Sequence, residues 1–479
     1  VIQSEIRNPK SQRHFKKEIP KRHQRFSAIC EGWGFGALSN FEFRILNFAL
    51  AALLAFFVAK PVFSQPDVAR QLSEALRWSS QQVAPAVVTI PLGDKNTKSG
   101  VIVDPDGYVL TTFRAVQGQA AVTVRTASGT AQGKIVATDR DADLALIKLD
   151  GKNFLFAKLG DSDTAQVGDW VCAVGLAQGV ARNAMHGIIS SPARRVASRD
   201  AIGTVALLQT TCAADNTTLG APLVNTRGEV IGIISYFPVK GDGNWSQGLS
   251  HASPINRARQ LLEKTKGEPA ATPAQPAAPQ ESLQTARELS EAIRWISNRV
   301  KPATVVIQGA QLASGFIVDS RGYILTALGS LSNGAAVKVA VGAEPQPQRA
   351  GKVVAVDVAS DLALVKIDGA NFPVAQLGDS DKARVGEFVV AVGAPFGFSQ
   401  SVVCGVVSFR ARKVGNLETP LLQVSVPFDA GGSGAPLLNA EGEVIGVCRS
   451  TRANAPFAGN AYAIPINAFQ ARLQGQIPR

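Results

Sequence analysis

The residues able to do acid–base or nucleophilic chemistry are few and unevenly placed. There are four histidines, His14, His23, His186 and His251, and none lies within residues 285–479. The five cysteines, Cys30, Cys172, Cys212, Cys404 and Cys448, form no C-x-x-C pair, so their spacing implies neither a zinc nor a redox site. No metal or other cofactor is expected. Ser433 stands in a run of small residues, Gly431-Gly432-Ser433-Gly434-Ala435. A serine hydroxyl is a poor nucleophile until a neighbouring base, most often His, accepts its proton. The half of the chain that holds Ser433 has no His to do this. A Ser–Lys dyad is the other route, but no Lys lies near Ser433 in sequence.

These residues sit on a duplicated frame. Leu72-Ser73-Glu74-Ala75-Leu76-Arg77-Trp78 recurs as Leu289-Ser290-Glu291-Ala292-Ile293-Arg294-Trp295. Ser99-Gly100-Val101-Ile102-Val103-Asp104 recurs from Ser314, and Asp143-Leu144-Ala145-Leu146 recurs from Asp361. Leu159-Gly160-Asp161-Ser162-Asp163 recurs from Leu377, and Gly220-Ala221-Pro222-Leu223 recurs from Gly434. The offset stays within 214–218 residues, so the matches are collinear and mark two copies of one domain. Each copy opens on an amphipathic helix, expected at about 68–83 and 285–299. Apolar runs of four to six residues follow, broken by Gly, Asp and Asn. That pattern predicts short strands and tight turns, hence an all-β barrel or sandwich architecture.

The expected organisation has four parts. Residues 1–64 form a leader, 67–265 the first domain, 266–284 a Pro/Ala-rich linker and 285–476 the second domain. Within the leader, Ile45 to Ala59 is uncharged and apolar apart from Asn47, follows Arg44 and leads to Val62-Phe63-Ser64, with small or tolerated residues at the −3 and −1 positions. This reads as a signal peptide cleaved near Ser64, and so as export to a periplasmic or extracellular space. Fifteen residues are short for a membrane span, so contact with the membrane is expected only through that signal. An export context also permits one disulfide per copy, Cys172–Cys212 and Cys404–Cys448, against the alternative of buried free thiols. Net charge is 49 − 37 = +12, but residues 1–64 carry ten Lys/Arg against four Glu. The remainder has no basic block, which argues against a nucleic-acid partner.

The repeated motifs resemble an HtrA/Deg-type, trypsin-like serine protease domain. The resemblance rests on S-G-V-I-V-D-P-D-G-Y-V-L-T at 99–111, T-D-R-D-A-D-L-A at 138–145 and P-L-V-N-x-x-G-E-V-I-G-I at 222–233. It covers nearly all of each copy and implies two tandem double β-barrel domains, each preceded by a helix. The family commonly adds a PDZ domain. Here the linker leads straight to the second copy, so the expectation is a member without one. Trimers are conceivable from the resemblance, and a homo-oligomer is allowed by it.

The resemblance also locates a Ser-His-Asp triad, and neither copy carries it whole. The family's His follows the strand ending in L-T, where copy one has Arg114 and copy two has Gly329. A guanidinium does not deprotonate and Gly has no side chain, so neither is a base. The Asp position is kept as Asp143 and Asp361. At the nucleophile, copy one has Leu219 and copy two keeps Ser433. Gly431 and Ser433 would supply the oxyanion-binding N–H groups; copy one has Thr217 at the place of Gly431, without the Gly freedom of backbone. Without its His partner, the Asp is expected to cap a turn, and in copy one Arg114 is expected to pair with Asp143. Loss of one triad member leaves only about 10³–10⁴ over the rate in water. The expected function is therefore that of a pseudoprotease binding peptides or proteins. The alternatives are an active endopeptidase using Ser433 with a non-standard base, and a non-catalytic assembly subunit.

Overall fold

The computed structural model describes residues 65–93, 97–177, 180–197, 204–212, 218–235, 249–267, 276–309, 311–331, 336–342, 347–414, 417–427, 431–449 and 461–478. The leader, the apolar run at 45–59 and Cys30 lie outside them, as does Thr217. Residues from Pro66 onward make one compact unit. Among the described residues no helix is long and apolar enough to cross a membrane.

The unit contains four closed six-stranded barrels. Copy one begins with helix α1 (Gln65–Val83) and builds its first barrel from β1 (Val87–Pro91), β2 (Thr97–Asp104), β3 (Tyr108–Thr111), β4 (Ala121–Thr126), β5 (Gly129–Asp139) and β6 (Leu144–Leu149). A one-turn helix, α2 (Phe113–Val116), follows β3. The second barrel is β7 (Trp170–Ala177), β8 (Val180–Ala197), β9 (Thr204–Thr210), β10 (Pro222–Asn225), β11 (Val230–Ser235) and β12 (Ser250–Pro254), closed by helix α3 (Ile255–Lys266). Copy two repeats the plan. Helix α4 (Gln280–Val300) leads into a barrel of β13 (Thr304–Gln308), β14 (Leu312–Asp319), β15 (Tyr323–Ala327), β16 (Ala336–Val341), β17 (Arg349–Asp357) and β18 (Leu362–Ile367). Its second barrel is β19 (Phe388–Gly393), β20 (Ser401–Arg412), β21 (Leu421–Val424), β22 (Pro436–Leu438), β23 (Val444–Arg449) and β24 (Ala461–Pro465), closed by α5 (Ile466–Arg472). The order within each first barrel is 1-2-3-6-5-4, and the second barrels follow the same scheme.

The turns explain why the motifs recur. In P-D-G-Y the Gly107 N–H donates to the Asp104 carbonyl oxygen at 2.9 Å, with Gly107 at φ 86. Only Gly takes that conformation without strain. In L-G-D-S-D, Asp161 accepts from the Asp163 N–H and from Asn256 Nδ2 at 2.7 Å, tying the inter-barrel segment to α3. Asp379 does the same with Asp381 and Asn467. This repeated acidic motif is a structural brace. The side-chain bonds from Asn256 and Asn467, the largest cause, hold both carboxyls below the usual carboxylate range.

Two boundaries differ from the sequence reading. Helix α4 starts at Gln280, so the end of the expected linker 266–284 is helical, and Lys266 still belongs to α3. The helix extends because Ser282, Thr285, Ala286, Ile293, Ile296 and Val300 all fall on one buried face. Strand β8, at 18 residues, is much longer than the four- to six-residue runs expected from the sequence. It continues past Pro192 through register shifts around Ser191, which accommodate the missing proline donor.

All four cysteines in the described residues are free. Along β7 alternate residues face opposite sides. Val171 and Ala173 pack inside the second barrel with Cys212, whereas Cys172 packs outward with Val83 and Ile255. Burial pushes the Cys172 thiol up to about 12 and the Cys212 thiol up to about 11, so both behave as small hydrophobes.

Candidate functional site

In each copy the two barrels meet where the loop before β10 or β22 touches the first barrel. The Ser314 N–H donates to the Ser433 carbonyl oxygen at 2.8 Å, and the Ser99 N–H donates to the Leu219 carbonyl oxygen at 2.9 Å. Gly434 (φ 89) and Gly220 (φ 86) make this approach possible. A Cβ on Gly434 would run into the Ser314 carbonyl oxygen and Thr326 Oγ1, and one on Gly220 would meet Ser99 and Thr111 in the same way. Gly431, at φ 92, uses the freedom the sequence reading assigned to it. Its carbonyl oxygen accepts from Ser314 Oγ at 2.6 Å, and the same hydroxyl accepts from the Ala394 N–H at 2.8 Å.

Ser433 is half-buried, while Leu219 at the matching position of copy one is buried. Among the described residues no side chain makes a hydrogen bond to Ser433 Oγ. His186 lies on β8 in register with Cys172, and His251 lies on β12 in register with Gln209. The His251 ring packs edge-on against Phe398 with centroids 5.9 Å apart. Both belong to copy one, and both serve as strand residues.

Asp143 and Asp361 have the same local geometry. Each has positive φ (51 and 61) and turns its carboxylate toward the segment that follows β3 or β15. The Arg114 N–H donates to Asp143 Oδ1 at 3.0 Å, and the Gly329 N–H donates to Asp361 Oδ1 at 2.8 Å. The main chain of the residue standing at the expected His position therefore takes one carboxylate oxygen in both copies. In copy one this main-chain bond joins the two residues that sequence reasoning paired through the guanidinium. A Cβ placed on Gly329 would lie 3.2 Å from Asp361 Oδ1, so a side chain there would leave the backbone toward the carboxylate.

The sequence reading missed one participant. Arg449, the last residue of β23, sets its Nε 2.5 Å from Asp361 Oδ2. Copy one has Ser235 at this place. The pair is largely shielded from solvent, which strengthens it over a surface ion pair. The only signal in the sequence was a change from Ser to Arg at the end of one strand, and nothing local tied it to a carboxylate 88 residues away.

Comparison with known proteins agrees with this architecture. The model of the trypsin-like peptidase domain matches residues 98–233 and 313–447. A probable periplasmic serine endoprotease, DegP-like, from Pseudomonas putida is 40% identical over 180 residues, covering 36% of this chain and 37% of the relative. Counterparts from Pseudomonas fluorescens and a Marinomonas species are 39% and 38% identical over 180 residues. The chain thus spans little more than a third of the length of the curated relatives it matches. Among solved structures, an HtrA-type protease with a decapeptide is similar with a TM-score of 0.35 and 24% identity, covering 39% of this chain and 66% of that one.

Proposed function

Because this chain belongs to the trypsin-like peptidase family, twice over, we propose that it is an exported pseudoprotease that binds peptide or protein segments and does not cleave them. One observation carries the reading. In copy two, the copy that keeps Ser433, both oxygens of Asp361 are engaged, Oδ1 by the Gly329 N–H and Oδ2 by Arg449. In a working triad the Asp orients an imidazole and stabilises its positive form. Here the positive partner is a guanidinium, which cannot shuttle a proton. Residues 285–479 contain no His to replace it. Copy one lacks the hydroxyl as well, since Leu219 fills its place.

Binding needs less than catalysis does. A groove between the two barrels would take an extended peptide, whose backbone would supply affinity while side chains supply choice. The retained Gly431–Gly434 loop would line that groove in copy two. Export is supported by the apolar segment 45–59 and by the periplasmic relatives named above.

The test pairs a binding assay with an active-site probe. Fluorescein-labelled peptides should bind saturably, with the same affinity in Ser433→Ala, and a fluorophosphonate should leave the wild-type protein unlabelled. Fluorophosphonate labelling that disappears in Ser433→Ala would establish an active nucleophile and overturn the reading. Absence of saturable binding would overturn it from the other side.

A further inference from the structure

The two copies meet head to tail, using different surfaces. Copy one presents the turn before β7, one face of β8 and, through Gln71 and Glu74, one side of α1. Copy two presents α4 and the segment Phe398–Ser401. Arg294 Nη1 of α4 donates to Asp169 Oδ1 at 2.7 Å and to the Val167 carbonyl oxygen at 3.3 Å. Ile293 packs so closely on Gly168 that a Cβ there would come within 2.9 Å of Ile293 Cγ2. Ile188 is 0% exposed because it joins the hydrophobic cluster of copy two. Arg194 donates to the Ser399 carbonyl oxygen at 3.0 Å and to Ser401 Oγ at 2.9 Å, and its guanidinium lies 5.2 Å over the Phe398 ring.

Because the contact is heterologous, its first surface recurs on copy two, where it is exposed among the described residues. Val385 stands at the place of Val167 and is 62% exposed. Val406, at the place of Ile188, is 38% exposed, and Phe409 beside it is 43% exposed. Arg412, at the place of Arg194, is also exposed and stacks on Phe409 at 4.3 Å. Glu387 reproduces Asp169 closely. One of its carboxylate oxygens accepts from the Arg384 N–H at 2.9 Å, as Asp169 accepts from the Gln166 N–H at 2.9 Å. The other oxygen of Asp169 takes Arg294, whereas the other oxygen of Glu387 has no partner among the described residues.

We propose that this face of copy two docks helix α1 of a second copy of the chain, with Arg77 of that copy reaching Glu387. Arg77 occupies in L-S-E-A-L-R-W the position that Arg294 occupies in L-S-E-A-I-R-W, and it is exposed. The arrangement repeats between chains the contact already made within one. It is independent of whether Ser433 is reactive. A heterologous contact of this kind either closes a ring or extends a filament.

The experiment is analytical ultracentrifugation of the full chain at concentrations up to about 100 µM, above the range in which specific interfaces of standard size assemble. Wild type should associate with rising concentration. Glu387→Arg and Arg77→Glu should each weaken association about tenfold, and the double variant should restore it, as expected when one charge pair sits in an interface. Val406→Asp should leave the protein monomeric. A wild-type monomer throughout the range overturns the proposal. So does association that ignores Val406→Asp, or a double variant no better than its parents. Arg77 is exposed and Glu387 is half-buried, so rescue in the double variant, which a local loss at Glu387 would not give, separates docking from misfolding.

Discussion

Arg449 and Asp361 form an ion pair that bridges the two barrels of copy two, Nε to Oδ2 at 2.5 Å. Asp361 precedes β18 of the first barrel and Arg449 ends β23 of the second. Asp361 thereby helps to hold the barrels together. The triad position proposed for it can be tested by restoring a base beside it.

Replacing Gly329 by His should aim an imidazole at Asp361, given the direction of the Cβ at that position. Arg449 would compete for the carboxylate, so the single variant is expected to gain little. Gly329→His combined with Arg449→Ser, the residue copy one carries as Ser235, should give Ser433-dependent fluorophosphonate labelling at least 10²-fold faster than wild type, the lower end of what a positioned base contributes. Rates of labelling for the two variants and for the triple variant with Ser433→Ala provide the check. Equal, background rates in all three would mean that more than the base has been lost.

Removing Arg449 alone should destabilise copy two. Arg449→Ala leaves Asp361 largely buried with one oxygen uncompensated, at a cost of about 1–3 kcal/mol. Urea unfolding of wild type and variant measures the difference. Arg449→Lys should recover part of the loss, since a point charge replaces the fork but keeps the sign.

The repeat, the barrel architecture and the strand-turn punctuation were legible in sequence because they rest on local chemistry. Gly107 and Gly322 mark turns by their own conformational needs, and the collinear motifs fix the duplication without any knowledge of contacts. That Asp361 lies beside Gly329 and Ser433 at the barrel junction follows from the same motifs. Arg449 was not, because its partner is far along the chain. The face joining the copies was hidden for the same reason: Ile188 and Val406 read alike as strand valine-like residues, yet one is buried and the other exposed. Position in the assembly, which no local pattern encodes, decides between them.

The glycines at the barrel junction should be among the least replaceable residues. Gly434→Ala combines a positive φ with a direct collision against the Ser314 carbonyl oxygen. A loss of about 3 kcal/mol or more is expected, as for other changes that force backbone apart. Gly220→Ala should cost copy one a similar amount. Gly475→Ala serves as the control, because nothing lies within 4 Å of its added Cβ. Comparable melting temperatures for Gly434→Ala and Gly475→Ala would contradict the tight-junction account.

Acid should loosen the contact between the copies through His251. Its ring is buried beside the Arg194 guanidinium and against Phe398. Burial first, and the charge of Arg194 second, lower its pKa from 6.5 to about 4. Arg194 on β8 is the charged group facing it, and Gln209 on β9 and the Phe398–Ser401 segment of copy two contribute no titrating group. The folded chain therefore binds the His251 proton later than the unfolded chain does. Its neutral form is fully stabilising above pH 6.5, and that contribution is lost as pH falls through the interval down to about 4. The full interval corresponds to about 3 kcal/mol. In His251→Phe, which keeps the aromatic contact and removes the titration, stability should fall less steeply with acid across the same window. His186, also lowered by burial, titrates in both proteins and cancels in the comparison. Thermal melts of wild type and His251→Phe between pH 4 and pH 7 give the measurement, and parallel curves would exclude His251 as the source of the acid sensitivity.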